Sequence, residues 1–256
     1  MVNPASLAIG DGVVGPIKIN GELAARKVSF KGYQLTVLAL QNDEIVGKGI
    51  LESGSPFEAD TLAYMMDFIK PGSTVVDAGC NFGSYSVFFA AKTGPGGALH
   101  CFEPQRKMAQ LANANAVANG LTPIMTVHNK ALSFAAGSVE MAAKLPDGSH
   151  KDQSMAEVEA QHGGINYGGL ALGKGGEHTS AITLDSLGLQ NVSFIKVDVQ
   201  GAEQLMLYGA QVLSFDMAAF FKGLGYAETR NAGEVIQQPP GMVQALAPPH
   251  RKLLLG

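Results

Sequence analysis

The sequence predicts a doubly wound α/β fold around a parallel sheet, preceded by a small N-terminal β-element. Three observations carry this expectation. From Thr74 onward, short apolar runs alternate four times with helix-length stretches, as in parallel sheets with crossover helices. A glycine-bearing turn joins the first of those strands to its helix. The chain has 256 residues, 46% of them apolar, which is enough for one large buried core.

Taken in order, residues 1–52 hold strand-like patches at Val13-Val14, Ile17-Lys18-Ile19 and Tyr33 to Leu40, separated by Gly and Asn turns. They read as a β-rich extension. The main domain is expected over 53–236. It opens with a helix from Pro56 to Ile69, with Ser55 as N-cap and Pro71-Gly72 as the stop. Thr74-Val75-Val76 is a buried strand, followed by the glycine turn and a helix from Tyr85 to Lys92. Ala98 to Phe102 is the second strand, and Gln105 to Asn119 an alanine-rich helix closed by Asn119-Gly120. Ile124 to His128 alternates as a third strand, and Phe194 to Val197 forms a fourth, leading to a helix near Ala202. Ser133 to Ser180 shows no clear periodicity. Half of the residues from Gly163 to Gly176 are glycine, so a mobile or mixed connection is expected there in preference to a well-formed lid. The tail, 237–256, is proline-rich and expected to be disordered.

Composition excludes several classes. Only 16% of residues are charged, against ~25% in typical domains. Glycine is the excess, 32 of 256 against a usual ~7%. No apolar run is long enough to span a membrane, so no membrane insertion is expected. A net charge of −4 without a Lys/Arg block argues against a nucleic-acid partner. Met1-Val2-Asn3-Pro4 does not open a signal peptide, and two cysteines, Cys80 and Cys101, suit a reducing compartment. A cytoplasmic location is the expectation.

The informative segment is Val75 to Tyr85. Asp77 ends a buried strand, and Gly79 and Gly83 permit the tight turn into the next helix. This is not the G-x-G-x-x-G dinucleotide pattern, which disfavours an NAD-type oxidoreductase. A carboxylate at Asp77 suits a ligand bearing an ammonium group. Glu103, in Phe102-Glu103-Pro104, ends the next strand, where an acid accepts hydrogen bonds from both hydroxyls of a ribose. An amino-acid ammonium at one end and a ribose at the other describe S-adenosylmethionine.

With these residues, the sequence resembles the FkbM-type S-adenosylmethionine-dependent methyltransferases. The resemblance rests on Val76-Asp77-Ala78-Gly79-Cys80-Asn81-Phe82-Gly83, Phe102-Glu103-Pro104 and Asn129-Lys130-Ala131-Leu132-Ser133. More specific are Thr183-Leu184-Asp185-Ser186-Leu187 and the block from Ile195 to Glu203. It runs from about Glu52 to Ala210, with an echo at Gly223-Leu224-Gly225-Tyr226. The resemblance implies a Rossmann-like class I methyltransferase sheet and O-methylation of a hydroxyl on a sugar, polysaccharide or natural product. It implies that Asp77, Gly79, Asn81 and Gly83 form the methionine side of the pocket, with Ser84 opening the helix. Glu103 would take the ribose, Ala131 would lie beside adenine, and Asp198 would face the sulfonium. Glu58 matches an acidic position ahead of the first strand.

Two departures stand out. Gln200 replaces an acid usual in the family. After Gly209-Ala210, Gln211 to Met217 runs into a helix-like stretch from Ala218 to Leu224, so one central strand is expected to be absent or replaced. That would leave a sheet edge for a homo-oligomer to cover. A catalytically degenerate binding protein that keeps the crevice is therefore the alternative to an active enzyme.

An alcohol acceptor benefits from a general base. Asp198 is the first candidate and Glu203 the second, though either could instead cap the following helix. Lys196 reads as a residue reaching the sheet's edge. His100 and His128 read as packing residues, while His150, His162 and His178 lie in the glycine-rich region. No His/Cys/Asp grouping has metal-ligand spacing, and Cys80 and Cys101 read as small packing residues.

Overall fold

The computed structural model describes residues 15–145, 150–210 and 252–255. β1 (Ile17–Lys18), β2 (Leu23–Phe30) and β3 (Tyr33–Leu40) form an antiparallel sheet in that order. Lys31 and Gly32 join β2 to β3, both at positive φ, as a two-residue hairpin turn requires. β2 was not among the expected patches, because Arg26-Lys27 interrupts its apolar alternation. Val13-Val14 lies outside the described residues. Next comes α1 (Val46–Ser53), unexpected in a segment read as β-rich, since Gly47 and Gly49 are poor helix formers. Gly47 is there for space: a Cβ would sit 2.8 Å from the Asp43 Cβ. α2 (Ala59–Met66) is shorter than the helix expected over Pro56 to Ile69; Glu58, at φ 45°, precedes it in place of a Ser55 cap.

The main sheet then builds as anticipated. β4 (Thr74–Ala78), α3 (Ser86–Thr93), β5 (Ala98–Phe102), α4 (Arg106–Ala118) and β6 (Met125–His128) follow one another. β7 (Ala131–Leu132) leaves this sheet for another. The stretch expected to be loose carries regular structure instead: β8 (Gly137–Ala142), α5 (Met155–His162), β9 (Leu172–Gly173) and β10 (Gly175–Ile182). Its sheet runs β7-β10-β8-β9, with β8 antiparallel to both β9 and β10. A Ser154–Glu157 capping box starts α5. Several of the clustered glycines are set by close approach: a Cβ on Gly176 would meet the Met141 carbonyl oxygen at 2.5 Å, and one on Gly164 the Glu44 Cγ at 2.2 Å.

β11 (Val192–Val197) returns to the main sheet and is followed by α6 (Glu203–Tyr208). β12 (Lys252–Leu255) lies parallel to β11, giving the all-parallel order β12-β11-β4-β5-β6. Those four residues belong to the tail expected to be disordered, and they give β11 a neighbour on the side away from β4. Gln211 to Met217, Ala218 to Leu224 and the echo at Gly223 to Tyr226 lie outside the described residues. The fold is a Rossmann-like α/β sheet. Strand order reverses between β4 and β11, which opens a crevice at their C-terminal ends.

The core has two parts. One side of the sheet packs Val75, Leu99 and Cys101 with Phe88, Phe89, Met108 and the N-terminal residues Val28, Val37 and Ile50. The other packs Val76, Ala78 and Phe102 with Leu132, Leu184, Met206 and Leu207. Hydrogen bonds join the N-terminal sheet to the main one. Asn115 on α4, fully buried, accepts from Leu38 N (2.7 Å) and donates to Leu38 O (3.0 Å) and Phe82 O (2.8 Å). Asn119, one turn on, makes the same pair with Thr36, at 2.7 Å each. A helical turn advances ~6 Å and two strand residues ~6.8 Å, so two amides four apart match alternate residues of β3. They close the edge that β2 leaves open. Among the described residues no helix is long and apolar enough to cross a membrane.

Candidate active site

The crevice begins where β4 gives way to the turn Gly79-Cys80-Asn81. Gly79 takes φ 77°, and a Cβ there would lie 1.7 Å from the carbonyl oxygen of Asp198. Only glycine allows the ends of β4 and β11 to close so tightly. Gly79 N and Cys80 N donate to Phe102 O at 2.9 and 3.0 Å, anchoring the turn to β5. Asn81 follows at φ 52°.

Glu103, 4% exposed, holds that turn from the next strand. Its Oε2 accepts from Asn81 N (2.8 Å) and its Oε1 from Gln105 N (2.9 Å). Burial pushes its carboxyl up to about 7; the two backbone donors and Lys196 oppose the rise, and Asp77 adds to it. Each oxygen keeps further acceptor capacity for a ligand hydroxyl.

A cavity of about 400 Å³ opens here. Of the residues singled out from sequence, Glu58, Gly79, Asn81, Glu103, Ala131 and Asp198 line it. Asp77, Gly83, Ser84 and Glu203 do not. Asp77 is fully buried and committed inward: Oδ2 accepts from Ser86 Oγ (2.6 Å) and Oδ1 from Lys196 Nζ (3.1 Å). Both of its oxygens are thus engaged within the fold. Gly83 faces Ala112 and Met125 and serves the packing of the next helix. Ser84 is buried. Glu203, at the start of α6, is engaged in the turn ahead of it, its Oε1 accepting from Val199 N (3.2 Å) and Gly201 N (3.1 Å).

Lys196 corrects a second expectation. It does not reach an edge, because β11 lies between β12 and β4. Asp198 lines the cavity with Gln200 beside it. Gln200 adopts φ 52°, and its Nε2 donates to Asp198 Oδ1 at 2.9 Å. Glu58, Asn81 and Gln200 are thus three non-glycine residues in left-handed conformations that line one cavity, the kind of local strain that gathers at functional sites.

Sequence reasoning missed the outer wall. Ile45, Val46 and Phe57 come from the N-terminal region, and Asn166, Gly168, Leu170 and Leu172 from the glycine-rich stretch. Ile165 N donates to Asn42 O (2.8 Å) and Glu44 N to Ile165 O (3.1 Å). Gln105 Nε2 donates to Tyr167 O (2.9 Å), while Lys107 and Asn42 both reach the Tyr167 hydroxyl at 3.4 Å. The glycine cluster was the one available signal, and it marked the place without the contacts.

The remaining candidates lie elsewhere. His100 Nδ1 and His128 Nε2 are 3.1 Å apart, and the His128 ring stacks on Phe102. Burial lowers both pKa values, which favours neutral rings. Burial raises the Cys80 thiol well above its usual value, leaving it protonated and inert. Among the described residues no grouping of three metal-binding side chains occurs.

The model of the methyltransferase FkbM domain matches residues 77–220, more than half of the chain. The chain belongs to the FkbM methyltransferase family. No curated protein sequence matches it. Solved structures similar to this FkbM-family chain include a SAM-dependent methyltransferase from Agrobacterium tumefaciens (16% identity, 44% of this chain and 34% of that one, TM-score 0.31). A SAM-dependent O-methyltransferase from Thermotoga maritima shares 18% identity over 44% of this chain and 57% of its own, with TM-score 0.27. A SAM-dependent methyltransferase from Aquifex aeolicus shares 17% identity over 40% and 76%, with TM-score 0.24. The chain thus spans less than two thirds of the first two.

The cavity suits the family's cofactor, S-adenosylmethionine. Its charged lining is Glu58, Glu103 and Asp198 against Lys130 alone, an acidic balance for a ligand carrying a sulfonium and an ammonium. Phe102, Ala131 and Leu132 supply an apolar wall for a base.

Proposed function

We propose that this chain is an S-adenosylmethionine-dependent O-methyltransferase whose acceptor is a hydroxyl on a small molecule or glycan: a sugar, polysaccharide or natural product. The observation that carries the reading is the buried Glu103 carboxylate in the wall of an acid-lined cavity at the C-terminal ends of β4, β5 and β11. Glu103 accepts the ribose hydroxyls, Asn81 and Gly79 shape the turn over the methionyl portion, and Ala131 borders the base. With Asp77 committed inward, Glu58 and Asp198 are the acids left for the ligand's positive end. When bound, the cofactor supplies an activated methyl group on a sulfonium.

The chain's own residues do the rest. Asp198 is the base for an acceptor hydroxyl: Gln200 occupies Oδ1, and Oδ2 lies 3.7 Å from Lys196 Nζ, with the carboxylate partly open to the cavity. Glu58 borders the same space. Asn166, Gly168, Gly169, Leu170 and Leu172 line the cavity from the glycine-rich stretch, where an acceptor would be met.

Gln200, where the family usually carries an acid, favours one second reading, a protein that binds the cofactor without turnover. Isothermal titration with S-adenosylmethionine and S-adenosylhomocysteine tests the cofactor, with micromolar binding expected. Binding of NAD in their place would overturn it. Release of S-adenosylhomocysteine in the presence of a panel of glycosides and other alcohols then separates enzyme from binding protein.

A further inference from the structure

Lys196 is a cation in an interior strand of the sheet, 8% exposed, in a position flanked on both sides by parallel strands. An ammonium so buried is tolerated only when its protons are taken up. Three groups surround it. Asp77 Oδ1 lies 3.1 Å away, the Gly79 carbonyl oxygen 3.0 Å, and Asp198 Oδ2 3.7 Å. Burial alone would push the lysine towards its neutral form, but Asp77 and Asp198 outweigh it and its pKa is raised. The side chain is a permanent cation.

These contacts come from three places: the end of β4, the first residue of the cofactor turn, and the end of β11 itself. Ser86, at the start of α3, holds the other oxygen of Asp77, and Gln200 holds the other oxygen of Asp198. A continuous polar chain therefore runs from Ser86 through Asp77, Lys196 and Asp198 to Gln200 at the cavity wall. Lys196 is the only link between its two halves among these contacts. It does not itself line the cavity.

We propose that Lys196 is the positioning residue of this site: its ammonium ties the Gly79 turn to Asp198 and orients the Asp198 carboxylate. The proposal rests on the reading of the cavity as the S-adenosylmethionine site. Glu103 gives it an electrostatic readout, since Lys196 favours the ionised form of that carboxyl while Asp77 opposes it. The buried Cys80 thiol, also near both acids, stays neutral and does not compete. Tyr85, whose hydroxyl pKa is raised by burial and by Glu58, likewise stays neutral.

The test compares the wild type with Lys196→Met and Lys196→Arg. In ligand-free protein, the Glu103 carboxyl is titrated by carbon-13 NMR. Affinity for S-adenosylhomocysteine is measured by calorimetry from about pH 6 to about pH 8.5. Lys196→Met is expected to move the Glu103 midpoint upward and to weaken S-adenosylhomocysteine about tenfold or more. Lys196→Arg, which keeps the charge, is expected to restore most of both. A lysine with a merely structural role would lower the melting temperature and leave the Glu103 midpoint in place. Should Lys196→Met not fold, Lys196→Gln, which keeps a polar side chain of similar reach without the charge, takes its place with Asp77 intact. An unchanged Glu103 midpoint together with unchanged S-adenosylhomocysteine affinity in the uncharged variant overturns the proposal. Failure of the wild type to bind S-adenosylhomocysteine overturns the cofactor reading instead, and the ligand-free titration then decides Lys196 by itself.

Discussion

Gly79 and Gly72 offer a controlled pair for testing how the crevice is built. Both adopt left-handed backbone, φ 77° and 74°, so an alanine at either bears the same conformational cost. That cost is about 1–2 kcal/mol. Their surroundings differ completely. Nothing lies within 4 Å of a Cβ on Gly72, which sits before β4 at the end away from the cavity. A Cβ on Gly79 would stand 1.7 Å from the Asp198 carbonyl oxygen and 2.8 Å from its carbon. The ends of β4 and β11 must then separate, an overpacking strain of roughly 1–3 kcal/mol beyond the backbone term. At about 2–4 °C per kcal/mol for a chain of this size, Gly72→Ala should melt ~2–8 °C below wild type, with Gly79→Ala a further ~2–12 °C lower. Circular dichroism melts of the three proteins measure this, and S-adenosylhomocysteine titration adds a functional axis. Gly79→Ala should weaken binding because it displaces the backbone of Asp198; Gly72→Ala should leave it alone. If the two variants melted within about 1 °C of each other and bound equally well, the close approach of the strand ends would not be a constraint.

Binding of S-adenosylhomocysteine should tighten as pH rises through about 7, because ionised Glu103 accepts from the ribose hydroxyls through both oxygens and more strongly than the neutral acid. Glu103→Gln should weaken binding and flatten this dependence in calorimetry at several pH values; a wild-type affinity that is level across that range refutes it. Stability carries the opposite sign. Folding raises the Glu103 carboxyl above its ordinary 4.5, so its favourable contribution is full below that value and fades as pH rises through about 7, readable in melts of the ligand-free protein. Asn115→Ala should cost about 2–4 kcal/mol, since Leu38 N, Leu38 O and Phe82 O lose their partner in a buried setting. Urea unfolding measures it, and a loss under about 1 kcal/mol would show that β3 does not depend on α4 for its edge.

The main sheet was legible because its signals are local. Ala98–Phe102 was read with its bounds intact, and β4, β6 and β11 within two residues, since each is a short apolar run between a turn and a helix. The placement of Glu103 and Asp198 on the cavity was legible for the same reason: each directly follows a strand whose C-terminal end opens on the crevice. Asp77 lies within its strand, β4, and faces inward. The partner that claims its carboxylate is Lys196, 119 positions along the chain. Lys196 was misread for a matching reason, because the strand that makes β11 interior comes from Lys252–Leu255, in a tail whose prolines argued against structure. Periodicity reports which face of an element is apolar. It is silent on which of two charged residues will be paired across elements.

The glycine-rich stretch shows a different limit. Its strands are half exposed, so β8 and β10 lack the apolar alternation that identifies a core strand. Its docking onto the N-terminal region runs through backbone groups of Ile165, Asn42 and Glu44, and any residue type carries those groups. What is specific there is the absence of side chains: Gly164 passes Glu44, Gly168 lies against the Asn81 amide, and Gly176 lies against the Met141 carbonyl. A contact made by backbone and licensed by glycine looks in sequence the same as a flexible linker. The distinction is between glycine with nothing near it, as at Gly163 and Gly201, and glycine with a neighbour inside the space of a methyl group. Most of the cluster falls in the second class. Its excess of glycine therefore follows from close packing: against Glu44 of the N-terminal region at Gly164, and against β8 and Ala143 at Gly173, Gly175 and Gly176.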